Sequence, residues 1–494
     1  MIIETAYVCT SMGKILFIPF SLVLLIGLIC VTGDTGCANI MPPTGGYKDT
    51  IPPLLLKATP GDSSKNFNAN HITLTFDEFI NLDNPHENLL ISPVPKTEPV
   101  VEAKLRTVII RLKDTLEPNT TYTLNFGNAI KDVNEGNPAK NFTYIFSTGT
   151  TFDSLTLSGK VILAETGRVD STLAVILHKN RDDSAVVNEK PRYATHLDSS
   201  GNFTFRNLPP GTFYIYALKN EGGSYRYLSE RQLFAFADSA VVLNGNNEPI
   251  TLYAYTEKAS TEKTAPNTPT LTPQLGGRQR GATGTRENRL RLQSNLDNGQ
   301  LDLLNNLTIT SDLPLRKLDT SLIHFSRDSS FTPITDYTIL RDTSEKKLTF
   351  RYNWKENNLY HVIAEKDFAE DSLGRKLLKA DTINFKTKKL SEYGSLRIDF
   401  RGLDLASNPV LLFVQNDNVV KSIPLTGSRI EVPIFLPGDY QLRILNDRNK
   451  NGKWDAGQFF GKHIQPEIVA PVSRRINVKP NWDNQFDIAA PSRQ

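Results

Sequence analysis

ITLTFDEF at 72–79, TVIIRL at 107–112, TYTLNF at 121–126 and FTYIFST at 142–148 decide the fold. In each, apolar and polar residues alternate, as in a strand with one face on a core and the other in water, and Asn, Asp, Gly and Pro fill the gaps. LLISP at 89–93 belongs with them, and the same grammar continues through LSGKVIL at 157–163, AVILHK at 174–179, GNFTFRNLPPGTFYIYALK at 201–219 and SAVVLN at 239–244. No stretch longer than about ten residues carries a period near 3.6. The body is therefore expected to be all-β, a series of tandem β-sandwiches with essentially no helix.

The chain then repeats itself. YTLNFGNAIKDVNEGNPAKNFTYIFST at 122–148 answers to YHVIAEKDFAEDSLGRKLLKADTINFKT at 360–387, Tyr122 matching Tyr360 and Gly136 matching Gly374. NLPPGTFYIYALKN at 207–220 answers to FLPGDYQLRILND at 435–447, Gly211 matching Gly438. Between the copies, TEKASTEKTAPNTPTLTPQLGGRQRGATG at 256–284 has no aromatic residue and is dense in Thr, Pro, Gly and charge, a composition that cannot build a core. The expected organisation is a signal peptide at 1–36, a tether at 37–47, sandwiches at 48–150 and 151–256, a flexible linker at 257–290, and the pair again at 291–390 and 391–494. With 494 residues, a count of four suits the usual domain size of roughly 100 to 200 residues.

The cysteines are Cys9, Cys30 and Cys37, and residues 38–494 contain none, so neither a disulfide framework nor a cysteine metal site exists in the body. ILFIPFSLVLLIGLICV at 15–31 is uncharged, follows Lys14 and leads into the small, polar stretch TGDTG before Cys37. That is the layout of a secretory signal. Glu4 and no cation precede Met12, so MGK at 12–14 reads as the start of the leader. Gly36 supplies the small residue that a bacterial lipoprotein places before its acylated cysteine, which makes Cys37 the expected lipid anchor. An uncleaved anchor formed by the same apolar run is the alternative. Lys and Arg total 56 against 53 Asp and Glu, spread along the chain, which leaves no nucleic-acid footprint.

DTIPP at 49–53, ITLTFDEFI at 72–80, LEPNTTYTLNF at 116–126 and KDVNEGN followed by FTYIFSTG resemble the bacterial Ig-like domains of the SbsA-type, or Big_5, class. The second copy keeps less, its DxxGN element being reduced to Asp371 and Gly374. DSSGNFTFRNLPPGTFYIYALKN at 198–220 and its shorter echo look like the carboxypeptidase-regulatory or prealbumin-like sandwich. The resemblance implies a duplicated Ig-like and prealbumin-like pair in a cell-envelope lipoprotein of the outer membrane. Such sandwiches are scaffolds whose role is set by what is grafted on them.

The sharpest local signal is LNDRNKNGKWDAGQ at 445–458, where Asp447, Asn449, Asn451 and Asp455 alternate around Gly452. Those oxygens suit a calcium loop, although Gln458 stands where an EF-hand brings its bidentate Glu. The competing expectation is a polar turn in which Asn and Gly supply left-handed backbone and Trp454 packs on the sandwich. Asp77, Glu78, Asp132 and Glu135 admit an acid and base pair on paper, but solvated strand ends explain them better, and no GxSxG or HExxH motif occurs. No catalytic or cofactor-binding residue is assigned, and no cofactor is expected beyond that calcium. The functional expectation is a non-enzymatic structural or interaction module, an adhesion surface or scaffold, contacting the membrane through its lipid and envelope proteins or glycans through its surface. One alternative is a carbohydrate-binding accessory protein, with Trp354, Trp454, Tyr225 or Tyr227 as the sugar platform. An enzyme of unrecognised type is the second.

Overall fold

A computed structural model describes residues 48–245, 247–257 and 289–491. Cys37, the expected signal segment and almost all of the expected linker lie outside the described residues. Alternation converts directly into sheets. Ile72, Leu74 and Phe76 of strand His71–Phe76 are fully buried, and antiparallel pairing sets Ile72 against Ile110 and Leu74 against Val108 on one inner face. Helix among the described residues is confined to the four-residue turns Pro85–Asn88 and Ala185–Asn188 and a few 3-10 turns.

Four apolar clusters follow one another along the chain, drawn from residues 67–146, 157–254, 290–385 and 396–488. Around the first, Leu55–Thr59, His71–Phe76, Thr107–Arg111 and Val100–Lys104 form one sheet in that order, faced by Leu90–Ser92, Thr121–Gly127 and Phe142–Ser147. Around the third, Leu292–Ser294, Leu307–Ser311, Lys347–Arg351 and Thr338–Arg341 repeat the first order. A two-stranded ribbon recurs as well, Ile80–Leu82 with Ile130–Asp132 and Leu315–Leu318 with Ala369–Asp371.

The second and fourth clusters share another plan, in which the first and last strands of the unit lie side by side and parallel. Leu155–Leu163 pairs with Ile250–Ala254, and Gly394–Arg401 with Asp483–Ala489. Each faces a larger sheet centred on Leu173–His178 and Gly211–Lys219, or on Pro409–Gln415 and Gly438–Asn446.

The repeat extends to single hydrogen bonds. Tyr122 Oη accepts the Glu117 N–H at 2.9 Å and Tyr360 Oη the Lys355 N–H at 3.2 Å, the tyrosine corner of Ig-like sandwiches. Thr148 and Thr387 take the same place beside them, accepting the N–H of Thr120 and of Asn358. Gly136 and Gly374 both sit at φ 76°, left-handed backbone that glycine adopts without strain.

Candidate interaction site

Strands Leu173–His178 and Pro409–Gln415 break the alternation: nearly every residue in both is buried. A continuous apolar run means a strand covered on both faces. Val175 and Leu177 point into the second core, while Ile176 joins an outer cluster with Tyr216, Leu218, Phe234, Phe236 and Tyr255. Leu90 and Val94 of the first sandwich join this cluster, and the fourth sandwich adds Phe459, with Trp454 and Ala456 beside it.

The loop after Gly438–Asn446 presents Phe459, and its own side chains hold its backbone. Asp447, 2% exposed, accepts the Asn451 N–H at 3.2 Å and the Gly452 N–H at 2.7 Å. Asn451 Oδ1 accepts the Lys453 N–H at 2.7 Å, and Asp455 Oδ2 takes the side-chain amides of Asn449 and Asn451, each at 2.6 Å. Glu467, also buried, closes the ring, its two oxygens accepting the N–H groups of Arg448 and Asp455. Trp454 Nε1 donates to the Glu467 carbonyl at 2.7 Å.

The structure thus brings Asp447, Asn449, Asn451 and Asp455 together, as the spacing suggests, and turns their oxygens onto the loop's own N–H groups. Among the described residues no group of three or more His, Cys, Asp or Glu is arranged to hold a metal ion. Glu467, rather than Gln458, is the carboxylate at the loop. Its distance in sequence hid it.

Beyond this ring a short hairpin, closed by Gln458 and Ile464, carries Phe459 into the aromatic face. The ring lies 5.0 Å from Phe234, 5.1 Å from Phe236 and 5.7 Å from Tyr216, centroid to centroid. Full burial of a phenylalanine contributes about 1.5–3 kcal/mol. Polar contacts fix the register: the Phe459 N–H donates to Glu257 at 3.0 Å, Gln465 donates to the Phe236 carbonyl and to Asp238, and His463 meets Asp183 at 2.8 Å.

The docking is reciprocal. Hairpin 163–168 of the second sandwich lies on the fourth, where the Val469 N–H donates to the Ala164 carbonyl at 2.8 Å and Arg168 pairs with Asp417 at 2.6 Å. Gly167, at φ 68°, passes so close that a Cβ there would collide with the Pro471 ring and stand 2.7 Å from the Val469 carbonyl oxygen.

The other sequence candidates fall elsewhere. Asp132 is buried in a turn; burial alone would raise its carboxyl, but the backbone N–H groups of Glu135, Gly136 and Asn137 outweigh that and hold it low. Asp77 accepts the Leu54 N–H. Glu78 is raised, by partial desolvation first and then by Asp132, Asp77, Asp49 and Glu135. Two of the four carboxylates therefore hold backbone, and none lines a groove described here. The aromatic residues expected as a sugar platform are packed into clusters: Trp354, half-buried, lies among Phe325, Tyr352, Tyr360 and Phe385, Trp454 and Tyr225 are half-buried against the docking cluster, and Tyr227 is 3% exposed. The tryptophan that does face solvent is Trp482, 62% exposed.

Residues 49–148 match the bacterial Ig-like domain family, Big_5. They are the first sandwich, the one with the fuller set of motifs. A search of the curated proteins finds no match. Among solved structures, the TIE protein of Bacillus anthracis is 12% identical over 91% of this chain and 75% of its own, with a TM-score of 0.16. The N-terminal part of the S-layer protein SbsC is 13% identical over 40% of this chain and 45% of its own, at 0.15. BcpA, the major pilin subunit of Bacillus cereus, is 9% identical over 68% of this chain and 99% of its own, also at 0.15.

Proposed function

We propose that this chain is a non-enzymatic protein of the bacterial cell envelope, a lipoprotein held in the outer membrane through Cys37, whose four sandwiches form a preassembled arm for structural or adhesive contact. The observation that carries the proposal is the reciprocal docking of the second and fourth sandwiches. A protein that spends a rigid loop, an aromatic cluster and a set of cross-linker hydrogen bonds on fixing its own shape is built to hold surfaces at set positions. The match of the first sandwich to a bacterial Ig-like family and the leader-like segment ending at Cys37 support the same reading. Envelope proteins or glycans are the expected contacts, with the membrane reached through the lipid and no role for nucleic acid.

No helix among the described residues is long and apolar enough to cross a membrane. Metabolic labelling with an alkyne fatty acid, comparing the wild-type chain with Cys37→Ala, tests the anchor. Label lost on substitution, with the wild-type protein in the outer-membrane fraction, is the expected result; unlabelled wild-type protein that still sediments with membranes would assign anchoring to the apolar run 15–31 instead. Protease shaving of whole cells then separates a surface adhesin from a periplasmic scaffold.

A further inference from the structure

Where the first sandwich meets the second, a groove of about 570 Å³ opens. Its deep end reaches residues of the first core, Tyr122, Leu124 and Phe146, and its walls are Ile91, Leu112 and Leu116 with a run of prolines. A narrower apolar pocket of about 70 Å³ continues it, sharing Ile91, Val94, Pro95 and Pro99. The size lies within the usual range for small-molecule sites, roughly 300–1,000 Å³.

The polar groups of the groove are unevenly spent. Glu117 gives both oxygens to the Arg192 guanidinium, at 2.5 and 2.6 Å, a bidentate clamp that ties the two sandwiches together. Asp114 accepts the Thr97 N–H and Glu189 the Asn180 amide. Lys190 donates to the Lys96 carbonyl. Lys96, Lys113 and Lys179, all exposed at the rim, have no ion pair among the described residues. Lys179 and Lys96 lie close enough to help Arg192, the main cause, hold the Glu117 carboxyl below its ordinary value.

At the bottom the Tyr122 hydroxyl accepts the Glu117 N–H, and Arg192 Nε has no partner among the described residues but is buried out of the reach of solvent. On the wall, His178 is 2% exposed with its Nε2 buried and unpartnered. A sugar would bury hydroxyls against that apolar floor without partners, which is costly. An acyl chain would not.

We propose that this groove binds an anionic amphiphile, a single acyl chain lying along the half-buried Ile91, Leu112 and Leu116 with its carboxylate or phosphate among Lys96, Lys113 and Lys179. Free fatty acids and lipid headgroup fragments share that chemistry. The proposal is independent of the Cys37 anchor, which lies on a different part of the chain.

The experiment is calorimetric titration of the full chain with four twelve-carbon probes: dodecanoate, dodecyl phosphate and dodecyltrimethylammonium below their micellar concentrations, and dodecanol below its solubility limit. Saturable one-to-one binding of the two anions is expected, with the cation weaker by about tenfold or more. Shortening the anion to decanoate weakens binding by about two- to fourfold per methylene lost. The double variant Lys113→Glu, Lys179→Glu, on exposed positions that leave the fold intact, loses anion affinity about tenfold and narrows the preference over the cation. Leu116→Trp fills the floor and abolishes binding of all four, checked against an unchanged circular dichroism melt. Free fatty acid as the natural class would show as dodecanoate binding at least as well as dodecyl phosphate, a phospholipid class as the reverse. Equal affinity for anion and cation, binding untouched by the double lysine variant, or no saturable binding would overturn the proposal.

Discussion

Tyr122 and Tyr360 do the same work in the two Ig-like sandwiches, each hydroxyl holding the backbone five residues upstream. Tyr122→Phe and Tyr360→Phe are each expected to lose about 1 kcal/mol, the net value of one such bond, in urea unfolding. His178 gives a pH dependence with a definite sign. Burial pushes its imidazole from 6.5 down to about 4, so the unfolded chain binds a proton that the folded chain refuses between those values. Stability is complete above pH 6.5 and falls as the pH drops towards 4, by about 3 kcal/mol from this one ring. Unfolding at a series of pH values, with His178→Phe as the comparison, checks it. The variant removes most of the slope between pH 4 and 6.5, and an unchanged slope would assign the acid sensitivity to other groups.

At the scale of elements the loop 447–467 matters most. Because Asn451, Gly452 and Lys453 already find side-chain oxygens for their N–H groups, adding a chelator is expected to leave the melting temperature unchanged. A rise of several degrees on adding calcium would show instead that Asp447, Asn449, Asn451 and Asp455 turn their oxygens on an ion. Phe459→Ala removes the ring that fills the outer face of the second sandwich. Truncating a buried phenylalanine costs about 3–5 kcal/mol, and here the loss falls on docking, so scanning calorimetry should split a shared transition into separate ones. Strands with one buried side were legible in the sequence, since alternation at 72–79 or 201–219 reports that single side. That AVILHK and PVLLFV do not alternate was the sign of a second buried side, and the two phenylalanines after Gln458 were the sign of what fills it. A turn that satisfies its own backbone and a turn that binds calcium use the same Asp and Asn residues, so the residues at 447–455 do not by themselves separate the two.

Over the whole molecule, the duplicated all-β plan was readable because Tyr122 and Tyr360, or Gly211 and Gly438, occupy positions fixed by backbone and hydrogen bonding. The arrangement of the copies was not. Composition marks 257–290 as a segment without a core, and says nothing about whether the sandwiches on either side meet. That depends on surface complementarity between residues more than 200 positions apart, such as Glu257 with Phe459 or Gly167 with Pro471, which no local pattern encodes. The grooves between first and second sandwiches stayed invisible for the same reason. The most direct test of the reciprocal docking is to place a protease site within 258–288, cleave the folded chain, and run it on gel filtration at low concentration. The two halves are expected to elute together, and to part when Phe459→Ala and Gly167→Ala are combined. Halves of the unaltered chain that elute separately after the cut would contradict the rigid arm and leave two independent pairs joined by a tether.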